Sequence, residues 1–137
     1  MKKGLVLLML CLLPAMLFGQ DTGTISTKGT VKGEQIYDIV EQYPEFPGGY
    51  SALTEWIDDN LKYPVEAAMD GIEGRVIVQF IVRPTGKVVD AEVVRGIAPS
   101  LDKEALRLIN IMPNWIPGRQ KGKAVNVRYT LPITFKL

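Results

Sequence analysis

The chain has 137 residues, of which 47% are apolar and 23% charged, a composition that fits one globular domain with some additional length. It has no histidine, so its serines lack the usual activating base, and its single cysteine, Cys11, lies in the apolar N-terminal stretch. If that stretch is cleaved off, disulfides, thiolate chemistry and the usual zinc sites are excluded. The 16 basic and 15 acidic residues give a net charge of +1, so nothing indicates a nucleic-acid partner. We therefore expect no enzyme activity, no cofactor and no metal.

Residues 1–19 are typical of a secretory signal peptide. Lys2 and Lys3 precede the apolar stretch Leu5–Phe18, and the small residue Gly19 follows it. At ~1.5 Å per residue this stretch spans about 21 Å of a hydrocarbon core of roughly 30 Å, so an uncleaved membrane anchor is the weaker alternative. We predict cleavage before Gln20, which leaves 14 basic against 15 acidic residues and a net charge of −1.

Residues 20–45 are predicted to form a flexible leader. Gln20–Gln35 contains only two apolar residues, Ile25 and Val31, which bury too little surface to offset the entropy of ordering. The run Ile36–Tyr43 favours a possible short strand, and the turn-forming residues Pro44–Gly49 follow it.

Two helices are predicted next. The first spans about Tyr50–Leu61, because apolar residues recur there at helical spacing. These residues are Leu53, Trp56, Ile57 and Leu61. Tyr63 and Pro64 end this helix, and Pro64 begins a short second helix whose C-terminal cap is Gly71.

A β-hairpin is predicted after the second helix. Gly74–Arg83 is apolar on both faces, which is typical of a central strand. The residues Pro84–Gly86 form a tight turn in which Gly86 can adopt a positive φ. Lys87–Arg95 alternates in polarity and is expected to be the second strand.

A third helix and a last strand complete the chain. Pro99 and Ser100 predict a helix start with Ser100 as the cap, and Pro113 ends that helix. A loop over residues 115–123 leads to Val125–Phe135, which alternates between apolar and polar residues. Because Pro132 has no N–H to donate, this strand is expected at an edge of the sheet. Trp56 and Trp115 are predicted to lie in the core.

These elements predict an α+β fold with a three-stranded antiparallel sheet and helices packed on one face. Since strand-helix-strand crossovers are right-handed, the expected order is second hairpin strand, first hairpin strand, last strand. That order places the doubly apolar strand in the centre and the last strand at an edge. An exposed strand edge is a place where another chain can dock.

Residues 46–137 resemble the C-terminal domain of TonB energy transducers, in the form common in Bacteroidetes. The resemblance lies in the order and spacing of short motifs along the chain. These motifs are Tyr63-Pro64, Gly71-Ile72-Glu73-Gly74, the hairpin with Gly86, Leu101-Asp102, Trp115, Pro117-Gly118 and Pro132-Ile133-Thr134-Phe135.

The resemblance implies a periplasmic domain that binds the extended TonB-box peptide of outer-membrane transporters along its final strand, by β-augmentation. Carried over to this chain, the implied docking residues are Asn126, Arg128 and Thr130, with Tyr63 and Pro64 nearby. If Pro132 faces outward, we expect the peptide to pair best along Asn126–Thr130 and to loosen towards the C-terminus.

Other interactions are also compatible with an exposed edge. The last strand could pair with a second copy or with the Ile36–Tyr43 run, giving a dimer or a self-capped monomer without an energy-transducing role. An inner-membrane motor component is a further possible partner. A full transducer has a membrane helix that meets this motor and a long Pro-rich spacer, which we do not find here. Binding without energising is therefore expected, in the periplasm, or at the inner membrane if the signal is retained.

Overall fold

The computed structural model describes residues 25–26 and 34–137, so the predicted signal peptide and most of the predicted leader lie outside the described residues. The described elements are, in chain order, β1 (Ile25–Ser26), β2 (Ile36–Tyr37), α1 (Gly49–Asn60), α2 (Val65–Met69), β3 (Gly74–Val82), β4 (Val88–Arg95), α3 (Pro99–Asn110), β5 (Gly118–Gln120) and β6 (Lys123–Phe135). The two central helices, the hairpin, the third helix and the last strand that the sequence predicts are all present.

The sheet is built around three antiparallel strands in the order β4-β3-β6, which confirms the predicted arrangement and the α+β class. It is wider than predicted, however. Strand β2 joins β6 in parallel, β1 joins β2, and β5 pairs with the start of β6, so the described residues form a mixed six-stranded sheet.

The prediction that the last strand is an edge is therefore wrong for its first half. Strand β2 pairs Ile36 with Asn126 and Tyr37 with Val127. Pro132 removes a donor only at its own position, so it places no limit on pairing several residues earlier. The predicted loop over residues 115–123 is also partly strand, because β5 and β6 form a hairpin whose turn residues Lys121 and Gly122 both have positive φ.

The main core lies between the sheet and the helices. Leu131, Ile133 and Phe135 alternate along β6 and are buried on this side, and Tyr129 is partly buried there. Leu53 of α1 and Leu101 of α3 pack against the same layer. A smaller cluster lies on the opposite face of the sheet, where Ile36 packs with Ile81 and Val89.

Five aromatic rings pack together where the loops meet the core. Trp115 is 3% exposed and contacts Phe46, Phe80 and Tyr129 at centroid distances of 5.7, 5.4 and 5.0 Å. Trp56 lies 6.1 Å from Phe46 and packs on the same cluster. The predicted core position of Trp115 is confirmed, whereas Trp56 is partly buried and packs against the edge of the core.

The start of α3 differs from the prediction. Its N-cap is Ala98, with φ −149° and ψ 148°, and Pro99 occupies the first turn. The predicted cap Ser100 is therefore inside the helix. Asp102 stabilises the segment before the helix instead, because its Oδ1 accepts a hydrogen bond from the N–H of Ile97 at 3.0 Å.

Within the part of the chain that the structure describes, no helix has the length and apolar character needed to cross a membrane.

Candidate functional site

The outer side of β6 is the part of the sheet that the sequence singles out for binding. On its inner side β6 pairs with β3 through nine consecutive residue pairs, from Val127 to Phe135. On its other side β2 pairs with only Asn126 and Val127. Among the described residues, no strand adds to this outer side between Tyr129 and Phe135.

Asn126, the first predicted docking residue, is already engaged by the chain itself. It is 5% exposed, and its Nδ2 donates to Glu34 Oε1 at 2.8 Å and to the carbonyl of Gln35 at 3.3 Å. Its buried Oδ1 has no hydrogen-bond partner among the residues that the structure describes. A docking partner reaches Asn126 only after the segment that contains Glu34 has moved.

Arg128 and Thr130 follow on the same face of the strand. Arg128 Nη1 donates to Asp38 Oδ1 at 2.6 Å in an ion pair, and the Arg128 side chain is only 14% exposed. Thr130 is exposed, and its hydroxyl accepts a hydrogen bond of 3.3 Å from Gln79 Nε2. Thr130 is thus the predicted docking residue that solvent reaches most directly.

Tyr63 and Pro64 lie at the other end of β6, so the expectation that they are near the other three residues is wrong. The Tyr63 ring packs edge-on against Phe135 at 5.7 Å, and its hydroxyl donates to the carbonyl of Ile72. Asn126 is nine residues from Phe135, or about 30 Å at ~3.3 Å per residue. Burial, with a smaller effect of the Glu73 carboxylate, raises the pKa of Tyr63, which therefore serves as a neutral packing residue.

A cavity of about 670 Å³ beside Tyr63 and Pro64 separates α2 from α3. Its floor includes Glu104, which accepts hydrogen bonds of 2.7 Å from Arg107 and from the Lys62 N–H. Burial raises the pKa of Glu104, but these hydrogen bonds and the nearby positive charges outweigh it, so the net pKa lies below its usual value. The carboxylate is fully partnered and joins the end of α1 to α3, which is a structural role.

A shallow groove flanks the uncovered half of β6. It lies between α1 and the strand and has a volume of about 100 Å³. Its lining includes Tyr50, Thr54, Leu131, Pro132 and Thr134. Tyr50 is 70% exposed and offers an apolar ring beside the strand edge.

The segment that covers β6 contributes three side chains whose contacts were not identified from the sequence. Glu34, Ile36 and Asp38 alternate along the segment that covers β6, and they contact Asn126, Ile81 and Arg128 respectively. The signal was present, because acidic residues two positions before and after a strand isoleucine fall on one face. Pairing of the Ile36–Tyr43 run with the last strand was one of the alternatives from the sequence, and the structure has that pairing at Ile36 and Tyr37. The side-chain contacts of this run were not predicted.

Comparison with known proteins gives one family. A model of the Gram-negative bacterial TonB protein C-terminal family matches residues 59–137. The chain is similar to solution structures of TonB C-terminal domains from Helicobacter pylori (28% identity, covering 62% of this chain and 77% of that chain, TM-score 0.48) and Pseudomonas aeruginosa (30%, 58% and 80%, TM-score 0.48). No curated protein sequence matches the chain.

TonB C-terminal domains are periplasmic, non-enzymatic interaction domains. The family match covers more than half of the chain, including the hairpin, α3 and all of β6. The protein therefore belongs to the Gram-negative bacterial TonB C-terminal family and is an interaction module of TonB-dependent transport.

Proposed function

We propose that the outer edge of β6 accepts an extended peptide, the TonB box of an outer-membrane transporter, as an additional strand. The observation that carries this proposal is the asymmetry of β6, which is paired without interruption on one side and covered by only two residues on the other. Strand addition requires a regular row of backbone N–H and C=O groups that face outward. A strand held in register by nine pairs keeps such a row straight.

The position of Pro132 supports a register for the added strand. Residue pairs in an antiparallel ladder alternate between hydrogen-bonded and non-hydrogen-bonded pairs. Pro132 lies opposite Ile77 and has no N–H, so this pair suits a non-hydrogen-bonded position. By alternation, the backbone groups of Asn126, Arg128 and Thr130 then face the outer edge.

The surroundings of Thr130 suit a peptide with apolar side chains. Thr130 is exposed, and the groove with Tyr50 and Leu131 runs beside the strand towards its C-terminus. Pro132 interrupts the row of donors there, so pairing weakens beyond it. The proposed contact is therefore centred on Thr130 and, where it extends to Asn126, replaces β2.

A second candidate function is a self-capped adaptor that binds no transporter. The pairing of Ile36 with Asn126 within one chain favours this form over a dimer through the same edge. Both candidates use the same strand, so a binding experiment must separate them.

The replacement Thr130→Pro tests the proposal. It removes one outward N–H, and we expect the affinity for a synthetic TonB-box peptide to fall roughly two- to tenfold, since one hydrogen bond contributes about 0.5–1.5 kcal/mol. The matched control is Thr130→Val, which keeps the N–H and the shape but loses the hydroxyl. Calorimetric titration measures both. Equal affinities for the wild type and Thr130→Pro would rule out pairing at this position.

The proposed setting is the periplasm, with an exported form that begins at Gln20. The mass of the mature chain after cell fractionation checks this start, and a chain that retains Met1 in the inner membrane contradicts it.

A further inference from the structure

The segment from Glu34 to Asp38 lies on β6 as a docked peptide would. It runs parallel to β6, with Ile36 opposite Asn126 and Tyr37 opposite Val127. Glu34, Ile36 and Asp38 alternate along it and therefore share one face. This is the face of the sheet away from the helices, where Ile36 packs with Ile81 and Val89.

The first acidic residue of the segment is held at both carboxylate oxygens. Glu34 Oε1 accepts from Asn126 Nδ2 at 2.8 Å, and Glu34 Oε2 accepts from Arg83 Nη2 at 3.1 Å. The side chains of Arg83 and Glu34 are 37% and 46% exposed, so water screens this pair. The contact contributes selectivity for a carboxylate more than it contributes stability.

The centre and the second acidic residue of the segment are also recognised. Ile36 is 2% exposed, which places its whole side chain in the small cluster behind β6. Asp38 Oδ1 accepts from Arg128 Nη1 at 2.6 Å, and Asp38 is 48% exposed. An isoleucine pocket thus lies between two sites for a carboxylate.

We infer that the Asn126–Arg128 part of β6 is a binding site for extended peptides with an acidic residue, any residue, isoleucine, any residue and a second acidic residue. The chain's own Glu34–Asp38 occupies this site. A transporter peptide of the same pattern pairs here only by displacing that segment. This last step rests on the proposed function, whereas the pattern follows from the contacts of the chain itself.

Displacement is feasible because the strand that covers β6 has only two residues. Beyond Val40 the chain is fixed by bridges of Gln42 to Arg119 and of Glu45 to Ile116, and Phe46 enters the core. A segment tethered this closely acts at an effective concentration on the order of 1 mM. It therefore lowers the apparent affinity of any competing peptide without blocking the site permanently.

The experiment uses the full chain and a synthetic peptide with the sequence of residues 34–41. In the variant Ile36→Asp the internal segment cannot fill the isoleucine pocket, so we expect the peptide to bind at least roughly tenfold more tightly than to the wild type. The matched control is Ile39→Asp, in the same segment, since Ile39 is 63% exposed. Equal binding to all three proteins overturns the inference.

A second variant guards against misfolding of the first. Asp38→Arg changes a half-exposed side chain and places it against Arg128, so it should open the site while the fold, followed by tryptophan fluorescence, is retained. In the double variant with Ile36→Asp and Arg128→Glu, binding of the unaltered peptide should weaken. A peptide that carries Asp38→Lys should regain binding to this double variant. A loss that the exchanged charge does not restore overturns the acidic pattern.

The two proposals fail in different ways. If the peptide of residues 34–41 binds Ile36→Asp and a TonB-box peptide does not, the proposed function is wrong and the site stands. If a TonB-box peptide binds the wild type, and the peptide of residues 34–41 binds the wild type, Ile36→Asp and Ile39→Asp equally, the proposed function stands and the inference is wrong.

Discussion

The two outer strands of the antiparallel core differ in their regularity. Strand β6 pairs with β3 through nine uninterrupted pairs. Strand β4 pairs with β3 through a register that shifts twice. At one shift Asp90 and Ala91 lie opposite Phe80 alone, and at the other Val94 is the additional residue. Asp90 also has a positive φ of 54°.

This difference indicates which edge is built for pairing. Bulges twist an edge strand and disrupt its row of outward donors, which protects a sheet from unwanted strand addition. Strand β4 carries two such interruptions and the charged residues Asp90, Glu92 and Arg95. Strand β6 has a regular edge that a segment of its own chain covers in part. Bulges protect the edge at β4, and a segment of the same chain covers part of the edge at β6.

The largest expected effect comes from the turn that joins the central strand β3 to β4. Gly86, at the turn between β3 and β4, has φ +92°, and a Cβ there would lie 2.0 Å from the carbonyl oxygen of Trp115. The N–H of Trp115 also donates to Gly86 O at 2.8 Å. We expect Gly86→Ala to lower the free energy of unfolding by about 3 kcal/mol.

The matched control for this replacement is Gly122→Ala. Gly122 has φ +78°, and a Cβ there would meet no described atom within 4 Å, so only the backbone cost of about 1 kcal/mol applies. Urea denaturation midpoints compare the two variants. Equal losses would mean that the contact with Trp115 does not position the hairpin.

A smaller effect is expected where the helices support the sheet from one side. Glu104 is 7% exposed and joins α1 to α3 through Lys62 and Arg107. Removing its carboxylate with Glu104→Ala should cost about 2 kcal/mol at neutral pH, because charged hydrogen bonds contribute about 1.5–3 kcal/mol. The exposed Glu66, which lines the same cavity, gives the control variant Glu66→Ala with little change.

The contribution of Glu104 also depends on pH. Its pKa is lower in the folded chain than in the unfolded chain, where it is about 4.3, so the contribution is complete above that value. It is lost as the pH falls through the folded pKa. The stability difference between the wild type and Glu104→Ala should therefore shrink between pH 7 and pH 3 in urea titrations. A difference that is constant with pH would contradict a charged Glu104.

The three central strands could be predicted from the sequence, whereas the pairing of β2 with β6 was only one of several alternatives and β5 was not predicted. The two apolar faces of β3 identify a central strand, and alternation identifies β6, because burial on a defined face is a local property of the pattern. Strands β2 and β5 have only two and three residues, and they exist because of their partners. Local propensity cannot specify such pairing.

The candidate site shows the same limit. Asn126, Arg128 and Thr130 share one strand face, as the alternation predicts. Glu34 and Asp38 bind the side chains of Asn126 and Arg128. These partners are about 90 positions apart in the sequence, so the contacts depend on the fold. Tyr63 was grouped with them because of the family resemblance, which does not give the distance between Tyr63 and the other docking residues. Its contact with Phe135 could be learned only from the fold.

The smallest expected effect is confined to the β4 edge. Asp90 occupies the left-handed region, which costs a non-glycine residue roughly 1–2 kcal/mol. Glycine avoids this cost, but it loses more backbone entropy on folding, which destabilises the folded state by about 0.5–1 kcal/mol. Asp90→Gly should therefore stabilise the chain by about 0.5 kcal/mol, and Asp90→Ala should not. Since the bulge is retained, peptide binding at β6 should stay unchanged, and the molecular mass by light scattering should equal that of the wild type. Self-association of Asp90→Gly would show that the aspartate charge, and not the bulge, protects this edge.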